Sequence, residues 1–270
     1  MPEVCRVLML GDVIGEAGIL AVSAMLPGLL HQTRADIVVA NGENAAGGFG
    51  LTRETADSLL AAGVDVITSG NHIWEKKGAA ELLDGDPRIL RPANYPAIAP
   101  GKGLTVFKKG STRWAVLNLQ GREGMSPIDS PFTRADELLS GLEPGTVVVV
   151  DFHAESFAEK EALSLYLDGR VSVFAGTHTH VQTADERILP RGTGYLGDLG
   201  MSGPLDSIIG VQVESCLRRN ITQMPIKMEV ARGVSSVSGA LFEIGSDGRC
   251  QSIQRIPTLK ESWSDDRMYD

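Results

Sequence analysis

Two of the chain's five histidines stand two residues apart, in Gly176-Thr177-His178-Thr179-His180. Imidazole is the commonest protein ligand for transition metals. The pair follows Val171-Ser172-Val173-Phe174, a short apolar run of the kind a buried strand shows. A backbone bend just past the strand would turn both side chains inward, and Gly176 is expected to permit that bend. On its own such a pair is more often a solvated turn. The placement of the other polar clusters decides between the two.

Those clusters repeat one arrangement. Val4 to Leu10 runs into Gly11-Asp12-Val13-Ile14-Gly15, and residues 36–40 open into Asn41-Gly42-Glu43-Asn44 and a glycine-rich loop ending at Gly50. Residues 64–68 are followed by Ser69-Gly70-Asn71-His72, and the valine run 146–150 by Asp151-Phe152-His153-Ala154-Glu155. With the His-x-His stretch, an apolar run ends in a polar cluster five times, and a helical pattern follows in four of them. The helices predicted after the clusters cover about 16–31, 52 to a C-cap at Gly63, a start near Trp74, and 156–167, with a further one over 133–142. In open α/β sheets ligands bind beyond the carboxyl ends of the strands. The clusters should therefore bring Asp12, Glu43, Asn44, Asn71, His72, His153, His178 and His180 to one rim. His31 falls at a helix end and reads as a surface residue favourable to the helix dipole.

Imidazoles, carboxylates and amides together favour manganese, iron or zinc over calcium, which wants oxygen alone. Eight candidates are too many for one ion, so two metals sharing a bridging carboxylate is the economical arrangement. Two divalent ions bring four positive charges, of which Asp12 and Glu43 offset two. The surplus would attract a phosphate and acidify a bridging water, so hydrolysis of a phosphate ester by in-line attack of a metal-bridging hydroxide follows. His72, directly after Asn71, should aim its ring at the bound phosphate and protonate the leaving alkoxide. The alternative is that His72 caps a helix beginning near Trp74.

The order Gly-Asp, acidic residue with Asn, Gly-Asn-His, a single His, then Gly-x-His-x-His resembles the calcineurin-like metallophosphoesterase superfamily. The wording Gly11-Asp12-Val13-Ile14-Gly15, Asn41-Gly42-Glu43-Asn44-Ala45, Ser69-Gly70-Asn71-His72-Ile73-Trp74, Asp151-Phe152-His153-Ala154-Glu155 and Gly176-Thr177-His178-Thr179-His180 is similar to its YmdB-like branch, which contains bacterial cyclic-nucleotide phosphodiesterases. The match runs to about residue 205. It implies a four-layer α/β/β/α sandwich of two mixed sheets, a binuclear iron or manganese site, small phosphodiester substrates and a homo-oligomer. It also implies Asp12, Glu43, Asn44 and His180 on one metal and Glu43, Asn71, His153 and His178 on the other. Two departures stand out. The superfamily's Asp-x-His becomes Asp12-Val13-Ile14, with Asn44 placed to substitute for the missing histidine. The acidic residue after Gly-Asn-His is Ile73, which leaves Glu75 as a candidate to orient His72. Asp151 is left either to support His153 or to a structural part.

Composition narrows the field further. The 270 residues are read as one domain, with 260–270 a polar, frayed tail. No apolar run reaches transmembrane length and no secretory signal opens the chain. Cys5, Cys216 and Cys250 are odd in number and widely spaced, which suits a reducing cytoplasm better than a disulfide framework. A net charge of −9 weighs against long nucleic acids as partners. The loops 121–131 and 192–204 are candidate walls of the substrate site, and a closing hairpin is predicted over 240–244 and 251–256. Gly192-Thr193-Gly194-Tyr195-Leu196-Gly197 satisfies a dinucleotide fingerprint literally, but no helix is predicted after it. The rival readings are a phosphomonoesterase on the same site, a metal-dependent amidohydrolase, and a catalytically silent, metal-stabilised binding or regulatory protein.

Overall fold

The computed structural model describes residues 4–256. The chain begins with β1 (Val4–Leu10), the two-residue β2 (Asp12–Val13), α1 (Gly15–Thr33), β3 (Ile37–Asn41), α2 (Arg53–Ala62), β4 (Val66–Thr68) and α3 (Ala79–Gly85). The hairpin of β5 (Leu104–Lys109) and β6 (Thr112–Gln120) leads into α4 (Pro131–Ser140), β7 (Val147–His153), α5 (Phe157–Leu167) and β8 (Val173–Thr177). Then come β9 (Arg187–Ile188), β10 (Gly194–Leu196), β11 (Met201–Pro204), α6 (Val213–Thr222), β12 (Ser235–Ser236), β13 (Gly239–Gly245) and β14 (Cys250–Ile256).

Two mixed sheets dominate. One has the order β14-β13-β1-β3-β4, with β1, β3 and β4 parallel and the β13–β14 hairpin antiparallel at its edge. The other has the order β5-β6-β7-β8-β10-β9, parallel from β6 to β10. Side chains alternate across a strand, so each sheet offers two apolar faces. Val7, Met9, Val39 and Val66 meet Trp114, Val116, Val149 and Val173 in one buried cluster between the sheets. Leu8, Leu10, Val38 and Ile67 point the other way, onto Val22 and Leu26 of α1 and Leu59 of α2. Leu117, Val148, Val150 and Phe174 pack on Ala135 of α4 and on Leu163 and Leu167 of α5. Strands buried on both faces read as continuous apolar runs, which is how the sequence marked them.

Local signals are met where the chemistry is local. Thr52 and Thr55 form a reciprocal capping box at the start of α2, and Gly63 ends it at φ +112°. Four features differ from expectation. A third sheet, β12-β11-β2, joins Asp12–Val13 to Met201–Pro204, and strands this short leave no periodicity to read. Helix α6 lies where no helix was predicted, although Val213, Cys216, Leu217 and Ile221 recur at helical spacing; only Cys216 is buried and the other three stay exposed. The valine strand continues through Asp151 to His153. No helix begins near Trp74, because residues 71–78 form turns and α3 starts at Ala79, so a helix cap at His72 is excluded. The tail at 260–270 lies outside the described residues.

Candidate active site

All eight sequence-predicted residues gather where β1, β3 and β4 of one sheet and β7 and β8 of the other reach their carboxyl ends. Asp12 sits in β2 just past β1, Glu43 and Asn44 follow β3, and Asn71 and His72 follow β4. His153 ends β7, and His178 and His180 follow β8. His153 Nε2 is the meeting point: Glu43 Oε1 lies at 2.9 Å, His178 Nδ1 at 3.0 Å and Asn71 Oδ1 at 3.1 Å. One ring nitrogen carries at most one proton and cannot satisfy three acceptors. A looser group adjoins it. The Asn44 amide is 3.2 Å from His180 Nε2 and 3.5 Å from both Asp12 Oδ1 and Glu43 Oε1, and Asp12 Oδ1 is 3.7 Å from His180 Nε2.

The outward nitrogens of the three clustered histidines are each tied to an acceptor. His153 Nδ1 is 2.9 Å from Thr177 Oγ1, whose hydroxyl donates to Asp151 Oδ1 at 2.7 Å. His180 Nδ1 donates to the Ile209 carbonyl at 2.8 Å, and His178 Nε2 faces Glu155 Oε2 at 3.1 Å. Holding the proton outside leaves a lone pair facing inward on all three rings, the arrangement that orients imidazoles for a cation. The donor set and its tautomers therefore fit metal ions. Asp151 also accepts from Thr68 and Asn41, behind the cluster, so its part is to support His153 through Thr177.

Charge is finely balanced among these buried groups. Burial pushes the Glu43 carboxyl up, but the charge and hydrogen bond of His153, with His72 beyond, outweigh it and hold Glu43 down to about 2. Burial opposes a charged His153, yet Glu43, Asp12 and Asp151 lift it to about 9. Burial raises Asp12 to about 6 against the pull of His180 and His153. His178 is lowered to about 3 by burial and by the neighbouring charge of His153. Free of metal, the cluster thus relies on a proton at His153, where the ligand atoms converge.

Two glycines have steric rather than torsional reasons. A Cβ on Gly70 would meet His153 Cδ2 at 2.0 Å, so the Gly-Asn-His turn passes against that imidazole only without a side chain. Gly176 does not supply the bend expected of it. It lies within β8, where a Cβ would strike the Gly197 carbonyl oxygen at 1.9 Å, and the bend is made by His178 and His180 at φ +102° and +65°.

His72 is fixed through its backbone, whose N–H donates to Glu43 Oε2 at 3.0 Å. Its ring stands edge-on to Phe49 with centroids 5.0 Å apart, and Nδ1 is 3.7 Å from Glu75 Oε1, too far for a hydrogen bond. His72, His178 and His180 open on a cavity of about 360 Å³ walled by Phe49, Ile209, Arg219 and Val230 among others. Neither 121–131 nor 192–204 contributes to that cavity, because the segment around α6 covers the site instead. Sequence reasoning also passed over Glu155, although it stands two residues beyond His153 in the same cluster, and Arg219, which no pattern signalled.

A profile of the YmdB-like protein family matches residues 8–256 and so takes in every one of these positions. The chain belongs to that family. A relative from Bacillus subtilis (strain 168), named a 2′,3′-cyclic-nucleotide 2′-phosphodiesterase, is 45% identical over 253 residues, covering 93% of this chain and 96% of its own. The crystal structure of a Thermus thermophilus protein superposes with a TM-score of 0.86 at 42% identity, over 93% of this chain and 97% of that one. A Mycoplasma pneumoniae protein described as a novel phosphatase gives 0.89 at 33% identity, over 95% and 94%. The resemblance carried by the five motifs therefore extends over nearly the whole YmdB-like chain.

Proposed function

We propose that this protein is a metal-dependent phosphodiesterase acting on small phosphodiesters, 2′,3′-cyclic nucleotides foremost. The observation that carries the reading is the set of three imidazoles, each proton-tied on its outer nitrogen and open on its inner one. Asp12, Glu43, Asn44 and His180 would hold one cation and Glu43, Asn71, His153 and His178 the other. Iron or manganese suits the mixed nitrogen and oxygen donors. Bound there, two such cations supply Lewis-acid polarisation of a phosphoryl oxygen and a water acidified toward neutral pH.

The remaining steps belong to the chain itself. A sugar alkoxide is a strongly basic leaving group, and His72, on the cavity side of Glu43, gives it a proton. Among the described residues Arg219 is the one Lys or Arg lining the cavity, and it offers a guanidinium to phosphate oxygens. Phe49, Ile209 and Val230 give the sugar and base apolar walls. A cavity of about 360 Å³ suits a mononucleotide, and the net charge of −9 weighs against long nucleic acids. A single domain and a homo-oligomer go with this reading on the family resemblance. A cytoplasmic setting is supported by three buried, unpaired cysteines, and no described helix is long and apolar enough to cross a membrane.

The test is a substrate panel: 2′,3′- and 3′,5′-cyclic nucleotides, an aryl diester and an aryl monoester. The expected order puts the 2′,3′-cyclic nucleotides and the aryl diester well above the monoester. Hydrolysis of monoesters alone would make the protein a phosphatase, and no turnover with metals bound would make it a silent binding protein.

A further inference from the structure

Lys160 of α5 has no solvent exposure, and its ammonium lies 2.8 Å from Asp198, which is equally buried. Removing two charges from water costs more than a well-packed apolar pair would, so stability alone is a weak reason for the pair. Its connections supply a better one. Asp198 Oδ2 also accepts the backbone N–H of Thr179 at 3.1 Å, midway between His178 and His180. Asp198 Oδ1 accepts the N–H of Gly200 at 2.9 Å, and the Gly200 carbonyl accepts the N–H of Asp12 at 3.0 Å. One carboxylate therefore holds both the His-x-His turn and the strand that carries Asp12.

The turn needs such a hold. His178 and His180 both sit at positive φ, a backbone region that L side chains keep only when their surroundings over-determine it. Asp198 is itself fixed, since its N–H donates to Thr183 Oγ1 at 2.9 Å and its carbonyl accepts the Thr183 N–H at 3.1 Å. The Lys160 stem reaches this carboxylate past Gly176, where a Cβ would meet Lys160 Cε at 2.9 Å.

We propose that the buried Lys160–Asp198 pair is the positioning element that sets the metal-ligand geometry of His178, His180 and Asp12, an inference that rests on the binuclear reading above. Without the ammonium, the Asp198 carboxylate loses its counter-charge and the contact that holds it in place, which loosens its grip on Thr179 and Gly200. The ligands then leave their common focus while the sheets behind them stay formed.

The experiment is a titration of metal-stripped protein with manganese(II) against a competing chelator dye. It compares wild type, Lys160→Met, Lys160→Gln and Leu163→Ala, the last a cavity variant on the same helix whose side chain packs in the apolar cluster and makes no polar contact with Asp198. Both Lys160 variants are expected to bind manganese about 10–100-fold more weakly, the usual effect of losing a group that orients metal ligands. Leu163→Ala should melt earlier yet bind like wild type. Wild-type affinity in the Lys160 variants, or equal weakening in Leu163→Ala, would overturn the inference. A wild type that takes up no manganese would instead overturn the binuclear reading and this inference with it.

Discussion

At the scale of single residues, the proposed site separates groups that would face the cations from one that would face the leaving group. His72→Ala should keep both metals and lose about 10²–10⁴-fold in rate on cyclic nucleotides, whose leaving alkoxide needs a proton. An activated aryl diester should be hardly affected, and equal losses on both substrates would remove His72 from the general-acid role. His178→Ala and His180→Ala should lose metal and rate together on every substrate. The buried charges add a pH dependence with a definite sign. Glu43 and its neighbours raise His153 to about 9, so in the metal-free protein its proton stabilises the fold below the unfolded value of about 6.5. That contribution is lost as pH rises through 9. A cation displaces the same proton, so manganese affinity should climb between pH 7 and about 9 and then level off. Calorimetry at pH 7.5 in buffers of different ionisation enthalpy should register proton release, and a heat independent of buffer would contradict this.

At the scale of elements, strands buried on both faces were plain in the sequence because their apolar runs end abruptly in polar clusters. The convergence of all eight candidate residues was legible for that reason, since a strand end fixes where its next side chains go. What was not legible lacked a local signal. Helix α6 has apolar residues at helical spacing and was overlooked, but nothing local says that it covers the site, and β2 and β11 are too short for alternation, so the Arg219 wall and the third sheet went unread. Gly176 was misread because its reason is the carbonyl of Gly197, just past β10, a long-range contact invisible in sequence. Gly70 offers the sharper test of such contacts. Gly70→Ala places a Cβ where the His153 ring lies and should weaken metal binding and activity by about 10–100-fold while leaving the far-ultraviolet circular dichroism unchanged. Wild-type metal affinity in that variant would show that the imidazole can move without cost.

At the scale of the whole molecule, two sheets that meet through an apolar cluster and the hydrogen bonds of Asp151 both send candidate ligands to one place, so metal binding there would tie the two halves of the fold together. Removing metal should therefore lower thermal stability, and free metal at a hundred times Kd should restore about 2.7 kcal/mol per site. The most direct measurement of the central claim is the metal content of protein purified without chelators, determined by elemental analysis beside protein concentration. Two transition-metal ions per chain, falling toward one or none in His178→Ala and His180→Ala, is the predicted result. A single tightly held zinc with no second ion, unchanged in those variants, would contradict the binuclear site.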